Sequence, residues 1–585
     1  MTRNHKIVLG IGLLFVFLLR FRFGATLFGG EDAFQVYLIG LKWFSTGGFP
    51  YWGADVVYTA TQIPGGLQAV ATGGPFFVLP IPEAPFLVIN LLSLAALCFF
   101  GWYLKKRIPG IPEWFMYGWL LTMPWMMHYS TQVENPSYVL PASVMFFISV
   151  WELLPMYENR LLKPQWAFFW MGFTLFWVMQ VHLSWILMPP FILAAMLAQV
   201  KNSKVLLKGL AFFLFGAALT GALLAPTLLE FGTESLIGAN AKASINWNNL
   251  TRVFDIGLQF MSFSSAEVAR FIGPESPERT EFLRNYPIAA MFTLAFAVMG
   301  FIQVAGLTLS LFSKGQKPEW SKVRWFLLSA IGLTSLSFLF TNLTPKAPQY
   351  YLMAPVGIWY AMYCIEPWFE KRLFREFAVI LLSCGAIFHL ALAARNMNET
   401  DLYLRRAQAS AAIKNKDYTL LGIRRESVLS ETLQEKIWKQ DGRCFSTGYE
   451  YQNALTKPQN IYQNTAHDGR YCNKMDSILS FGIDFREKWL APSPPDSCLF
   501  SVWLKGDYDG NSLAVLDLKS EGKVVMWKGI SIEKNAYNAE QWRQLKFSYA
   551  VEDSIRSIDE VRVFIWLNDK RPGFMFADDV QVCFK

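Results

Sequence analysis

Gly29-Gly30-Glu31-Asp32-Ala33-Phe34-Gln35-Val36-Tyr37 follows the apolar run 6–23 after only a few residues. Two adjacent carboxylates are costly to place beside a bilayer, and a loop tip would have held them more easily. Here they stand where one apolar helix ends and a second, surface-lying helix over 33–44 is expected to begin, with Gly47-Gly48-Phe49-Pro50-Tyr51-Trp52 beyond it. The loop 24–82 is therefore the stretch around which the chain is organised. It is a place for chemistry on something held at a membrane interface.

The composition agrees. Of 585 residues, 53% are hydrophobic, 16% aromatic and 17% charged; soluble domains carry about a quarter charged. The apolar excess lies almost wholly before Arg395. The net charge of +8 comes from basic residues in short connections between apolar runs, which is a membrane-topology pattern and not a nucleic-acid footprint. The N-terminus lacks a small-residue cleavage site and continues into Arg20 and Arg22, so the first apolar run reads as a retained span. Both arginines are expected to snorkel.

Apolar runs of membrane-spanning length number about eleven: 6–23, 84–104, 111–128, 137–156, 165–181, 184–200, 205–229, 286–312, 324–341, 350–368 and 374–394. Alternate connections carry Lys105-Lys106-Arg107, then Arg160 and Lys163, Lys201 to Lys208, Lys314 to Arg324, and Lys371 to Arg375. The basic side is cytoplasmic. The reading is an inner-membrane, multi-pass protein with a cytoplasmic N-terminus. Loops 24–82 and 231–286 and everything after Arg395 fall on the periplasmic or extracellular side. Within the second loop, Asn249–Phe263 and Ala266–Ile272 are expected to form short amphipathic helices on the membrane surface.

Residues 396–440 read as a helical linker. From 441 to 585, period-two runs such as Cys498-Leu-Phe-Ser-Val-Trp-Leu and Val561-Arg-Val-Phe-Ile-Trp-Leu, separated by Asp-Gly and Glu-Gly turns, predict an antiparallel sandwich. Cys444, Cys472, Cys498 and Cys583 all fall there. An even number in an oxidising compartment implies two disulfides, with three connectivities open. Cys98, Cys364 and Cys384 read as small core residues of the spans.

The acidic pair with its aromatic run, followed by Gly48-Phe49-Pro50, resembles the GT-C superfamily of membrane glycosyltransferases. Glu134-Asn135-Pro136, the Gln180-Val-His182-Leu-Ser184 turn and Pro348-Gln-Tyr350-Tyr351 support it, and the nearest group is the protein-mannosyltransferase and aminoarabinose-transferase-like one. The resemblance covers residues 1–395. It implies a polytopic α-helical domain that moves a sugar from a polyprenyl-phosphate donor to a lipid, glycan or protein acceptor. An external carboxylate would act as base, with a divalent metal in some members. The family order is Asp then Glu, reversed here, so alignment selects either Glu31 or Asp32; the acid before Ala33-Phe34 is Asp32, which is preferred. Residues 441–585, with Tyr449-Glu450, Ala466-His467-Asp468-Gly469-Arg470 and Phe576-Ala-Asp578-Asp579-Val580, resemble a carbohydrate-binding-module jelly roll. That likeness implies a structural calcium near Glu450 and Asp579.

Transfer from a lipid phosphate needs a base for the acceptor hydroxyl and a cation for the departing phosphate. Asp32 is the candidate base; its plainer reading is the N-cap of the helix over 33–44, a compatible role, with Glu31 able to raise its pKa. Candidate substrate-binding residues are Glu134, His182, Lys346, Tyr350, Tyr351, Arg252, Arg270 and Asp55. Each has a plainer reading as a helix-end charge, an interfacial side chain or a loop residue. The rival functions are a lipid or glycan transporter and a non-catalytic glycan-binding scaffold. A transporter would line a path near the midplane with ionisable groups, whereas Glu152 is an isolated acid near the inner end of a span and the other charges gather at the outer face. No nucleotide-binding glycine loop is present.

Overall fold

The computed structural model describes residues 3–28, 31–56, 61–231, 245–273, 276–313, 318–341, 343–398, 400–421, 439–448, 461–463, 465–468, 471–477, 479–489, 491, 493–520, 523–569 and 571–585. The chain divides into two compact units, Met1–Leu421 and Gly422–Lys585.

The first unit is helical. Helices α1 (Arg3–Ala25) and α2 (Glu31–Thr46) lead into an antiparallel hairpin of β1 (Trp52–Val56) and β2 (Thr61–Pro64), then α3 (Leu67–Val78). There follow α4 (Ala84–Arg107), α5 (Glu113–Thr122), α6 (Pro124–His128), α7 (Asn135–Leu153), α8 (Pro164–Met179) and α9 (Pro189–Ala198). After these come α10 (Ser203–Gly221), α11 (Ala225–Phe231), α12 (Val253–Ser262), α13 (Ala269–Ile272) and α14 (Ser276–Asn285). The last are α15 (Pro287–Ser310), α16 (Trp320–Leu339), α17 (Ala354–Ile365), α18 (Arg372–Met397) and α19 (Thr400–Asn415).

Among the described residues six helices are long and apolar enough to cross a membrane: α4, α7, α10, α15, α16 and α18. Other apolar runs are interrupted, for readable reasons. The run 111–128 breaks at Met123, whose extended backbone (ψ 140°) precedes Pro124, as a residue before proline prefers. The run 184–200 opens as a 3-10 turn, Leu183–Leu187, before α9 starts on Pro189. The run 350–368 is flanked by two 3-10 turns, Ala347–Met353 and Glu366–Glu370.

Two devices position the first loop. Helix α2 crosses α3 at a pair of glycines: a Cβ on Gly73 would lie 2.3 Å from the Gly40 carbonyl oxygen, and one on Gly40 would lie 2.6 Å from the Gly73 nitrogen. Only glycine at both positions allows this approach. Behind it, Phe28 packs edge-on against Tyr37, and Tyr37 and Phe44 both pack on Phe76. Residues 400–421 belong to the same unit, where Arg406 pairs with Glu83 and the Lys42 ammonium lies 5.4 Å from the Tyr418 ring centroid.

At the opposite end of the bundle, Arg107 of α4 pairs with the buried Glu152 of α7, whose second oxygen accepts the N–H groups of Leu161 and Leu162. The Arg107 guanidinium lies 3.9 Å from the Tyr157 ring centroid. Glu152 is thus a loop latch and not a lone acid along a path.

Apart from a 3-10 turn, Lys534–Ala536, the described elements of the second unit are strands: β3 (Lys439–Asp441), β4 (Cys444–Thr447), β5 (Ile461–Gln463), β6 (Tyr471–Asp476), β7 (Phe481–Lys488), β8 (Ser497–Gly506), β9 (Ser512–Ser520), β10 (Lys523–Ile532), β11 (Arg543–Ala550), β12 (Glu560–Leu567) and β13 (Phe574–Phe584). One sheet runs β10-β9-β12-β7. The other runs β11-β8-β13-β4-β3, with β6 on β13 and β5 on β6, all antiparallel. Phe500, Val502, Leu504, Leu516, Leu518, Val561, Val563, Val580 and Val582 alternate into the core between them.

The expected pair of disulfides is corrected to one among the described residues, Cys444–Cys583, joining register partners of β4 and β13. Cys472 and Cys498 are free and buried. Strand β13 explains why. Its first half pairs with β6 through Ala577 and Asn473, next to Cys472, whereas Phe584 at its far end faces Cys498. Seven residues of strand, about 20 Å, keep those thiols apart.

Candidate functional site

The site is built on one short loop, Tyr129–Glu134, between α6 and α7. It touches three separate parts of the chain. Near its middle, the Thr131 carbonyl packs so closely on Gly24, at the end of α1, that a Cβ there would lie 2.2 Å away. At its end, Gln68 of α3 donates through Nε2 to Asn135 and accepts the Ala54 N–H of β1 on Oε1 at 2.8 Å. At its start, the Tyr129 hydroxyl accepts a hydrogen bond from Arg270 at 3.1 Å. The acid-bearing loop and a guanidinium therefore meet on the same few residues.

Arg270, exposed on α13, is held by more than Tyr129. Its guanidinium lies 5.2 Å from the Trp125 ring centroid, a favourable cation–π placement. Trp125 is fully buried and donates its indole N–H to Glu267 at 2.7 Å, and Ser262 donates to the same carboxylate oxygen. Tyr351 donates to the Trp125 carbonyl at 3.2 Å. His128 closes the cluster, its ring packed on Tyr129, Phe271 and Phe23. Arg395, at the end of α18, donates to the Ile272 carbonyl and the Asn396 side chain.

Arg20 does not snorkel. It is fully buried in α1, donating to Asn90 Oδ1 at 3.2 Å, the Leu121 carbonyl at 2.7 Å and Ser130 Oγ at 2.6 Å. A buried cation needs such acceptors. These bonds tie α1 to α4, to α5 and to the loop itself.

The candidate residues sort clearly. Glu31 and Asp32 form the first turn of α2, and Asp55 lies in β1 with Gln62 as its register partner; their side chains lie outside the described residues. Glu134 is half-buried in the capping position before α7, bonded to Gln132. His182 caps the 3-10 turn 183–187: its Nδ1 accepts the Ser184 N–H at 3.1 Å, so the ring proton sits on Nε2. Arg270 and Tyr351 join the cluster, and Tyr350 is buried among Phe260, Phe263 and Phe338. Two candidates stand outside it. Arg252 makes an exposed pair with Asp255, three residues on, and Lys346 is exposed at the start of the turn 347–353. Sequence reasoning missed Trp125, His128, Tyr129, Glu267, Gln68 and Arg395. The aromatic end of the run 111–128, just ahead of Glu134, was the available signal. Among the described residues no group of three or more His, Cys, Asp or Glu could hold a metal.

A second feature lies on the sheet β10-β9-β12-β7. Register places Trp527, Asp517 and Arg562 side by side, with Trp566, Leu513 and Phe481 in a second row. Phe481 stacks flat on Trp566 with centroids 5.7 Å apart, and Trp527 meets Trp566 edge-on at 6.4 Å. Trp527 is 48% exposed, whereas Asp517 is 6% exposed and its Oδ1 has no hydrogen-bond partner among the described residues. Burial raises the Asp517 carboxyl above the ordinary carboxylate range.

No protein-family model matches the chain, and no curated protein does. Among solved structures, arabinosyltransferase EmbB from Mycobacterium smegmatis aligns at 11% identity and a TM-score of 0.30 over 97% of this chain and 63% of that one. A family 16 carbohydrate-binding module aligns at 13% identity and a TM-score of 0.16, over 21% of this chain and 82% of its own. A CBM4 structure does so at 13% and 0.16, over 27% of this chain and 100% of its own. Likenesses this low carry no argument.

Proposed function

We propose that the chain is a membrane glycosyltransferase that takes its sugar from a polyprenyl-phosphate donor on the periplasmic side. The observation that supports this reading best is the convergence on Tyr129–Glu134. The two segments that flank the acid-bearing helix, the end of α1 at Gly24 and Gln68 of α3, are anchored at the same loop that holds Arg270 against Tyr129 and Trp125.

In this reading Asp32 takes the proton from the acceptor hydroxyl as its oxygen attacks the anomeric carbon. The bond from that carbon to the phosphate oxygen breaks, and the lipid phosphate leaves with the bonding pair. Arg270 meets the growing negative charge, its guanidinium fixed by an aromatic face and a phenol so that little reorganisation is needed. Glu134, at the positive end of α7, and the Nε2–H of His182 are placed to bind sugar or acceptor hydroxyls. A divalent metal, if one is used, would be held by the acids of the first loop.

The Arg107–Glu152 latch gives the isolated acid of the fourth span a structural role, which lends no support to a transport path. The test is transfer of labelled sugar from a polyprenyl-phosphate donor by purified protein, wild type against Asp32→Asn and Arg270→Gln. Unchanged turnover in both would sink the assignment.

The C-terminal domain has a role of its own in this proposal: it holds glycan on the face formed by Trp527, Trp566 and Phe481. Aromatic rings offer flat apolar surface to sugar rings, and a carbohydrate hydroxyl would satisfy Asp517 Oδ1, which is costly to leave unpaired. Oligosaccharide titration of wild type against Trp527→Ala tests this role separately from catalysis.

A further inference from the structure

The carbohydrate-binding-module likeness implies a calcium ion near Glu450 and Asp579. Glu450 lies outside the described residues; the rest of that corner can be tested for fit. Asp578 is fully buried, and backbone N–H groups surround its carboxylate. Asp579 N donates to Oδ1 at 2.8 Å, while His467 N and Asp468 N donate to Oδ2 at 2.6 and 3.3 Å. Converging N–H dipoles present positive charge, an arrangement suited to an anion and not to a cation.

Asp579 is engaged as well. Its backbone is left-handed (φ 44°) at the irregularity between Asp578 and Gln581, and its Oδ2 lies 2.6 Å from His467 Nδ1. A carboxylate only accepts, so Nδ1 carries the proton. The imidazole is not free to swing away, because it stacks on Trp503 with centroids 3.8 Å apart and planes 18° from parallel, and Trp542 flanks it at 6.0 Å. A ring N–H therefore occupies Asp579 Oδ2, one of the two oxygens that a cation would need.

We infer that the C-terminal domain closes the β13 irregularity with a His467–Asp579 latch over Asp578, and folds without a metal ion there. The strained turn is held by hydrogen bonds from the 465–468 loop. That makes this loop, and not a divalent ion, the clamp on β13.

The experiment uses the full chain in detergent. Metal content is measured after dialysis against EDTA, and hydrogen exchange of 574–584 is followed with and without excess calcium chloride. No calcium retained and equal protection in both buffers is the expected result. Calcium bound at one per chain, or protection lost in EDTA, overturns the inference. His467→Ala is expected to speed exchange across 574–584 about tenfold, the scale of one charge-assisted bond, and no change would also overturn it. Asp579→Asn separates the two accounts if the alanine variant fails to fold. Its amide oxygen still accepts from His467, so protection persists under the latch and falls if a calcium ligand has been lost.

Discussion

Gly40 and Gly73 meet with no side chain between them, so that the backbone of α2 rests on the backbone of α3. The contact sets the height and tilt of the helix whose first turn carries Glu31 and Asp32. A valine at Gly73 would meet the Gly40 carbonyl, which is helix backbone, and the Trp43 ring. Gly73→Val should cost about 1–3 kcal/mol of stability, as overpacking does, and should lower transfer more than donor binding. Thermal unfolding read beside turnover checks both, and an unaffected turnover would show that this crossing does not aim the acid.

Asp32 and Arg270 are expected to fail differently. Loss of a general base costs on the order of 10²–10⁴ in rate, so Asp32→Asn should retain donor affinity and lose turnover. Arg270→Gln removes charge from the phosphate side and should weaken donor binding as well. Arg270→Lys keeps the charge but not the planar fork that lies on Trp125, and should recover only part of the loss. Binding isotherms with the lipid-linked donor, measured beside single-turnover rates, distinguish these outcomes. Glu31→Gln should be the milder of the two acid substitutions.

How much of this was legible in the sequence follows from which forces acted locally. The start of α2 was readable to within two residues, because a glycine pair, two acids and an apolar run mark a helix beginning. The helix takes in both acids, so Asp32 lies in its first turn and is not the N-cap expected of a helix over 33–44. The sandwich strands were readable from their period-two alternation. The cluster around Arg270 was not, because Trp125, Tyr129 and Glu267 are brought together by packing between α6 and the α12–α13 connection, at sequence separations of well over a hundred residues. Charge alone ranked Arg252 and Arg270 equally; only the structure pairs one with Asp255 and leaves the other facing the loop. Arg20 misled for the same reason. Snorkelling is the usual fate of an arginine near a span end, and it is overridden here by Asn90, Ser130 and the Leu121 carbonyl. The second disulfide failed on geometry that spacing does not encode.

The two ring nitrogens of His182 can be tested apart. Nδ1 caps the 183–187 turn, and Nε2 carries the remaining proton. Asparagine is a good cap and alanine a poor one, with about 1 kcal/mol between them. His182→Asn should therefore keep the stability that His182→Ala loses. If Nε2 donates to sugar or acceptor, both variants lose turnover alike. If turnover follows stability instead, the residue serves the turn alone.

If the Trp527 face holds glycan as proposed, Asp517 gives its binding a pH dependence whose sign can be stated in advance. Burial lifts its carboxyl pKa above the ordinary value of 3.8, against the pull of Lys519 and Arg562. A group raised on folding contributes stability that is complete below its unfolded pKa and is lost as pH rises through the folded one. The wild-type domain should therefore gain stability on acidification across the window just above pH 3.8 relative to Asp517→Asn, which cannot titrate. Glycan binding should run the other way. A sugar hydroxyl that donates to Oδ1 prefers the ionised acid, so affinity in the wild type should fall as pH drops through the same window and should be flat in Asp517→Asn. Tryptophan fluorescence titrations with oligosaccharide at several pH values read the effect directly, since Trp527 and Trp566 border the carboxylate. An affinity that rises on acidification would mean that the protonated acid is the donor. An affinity with no pH dependence would remove Asp517 from the binding face.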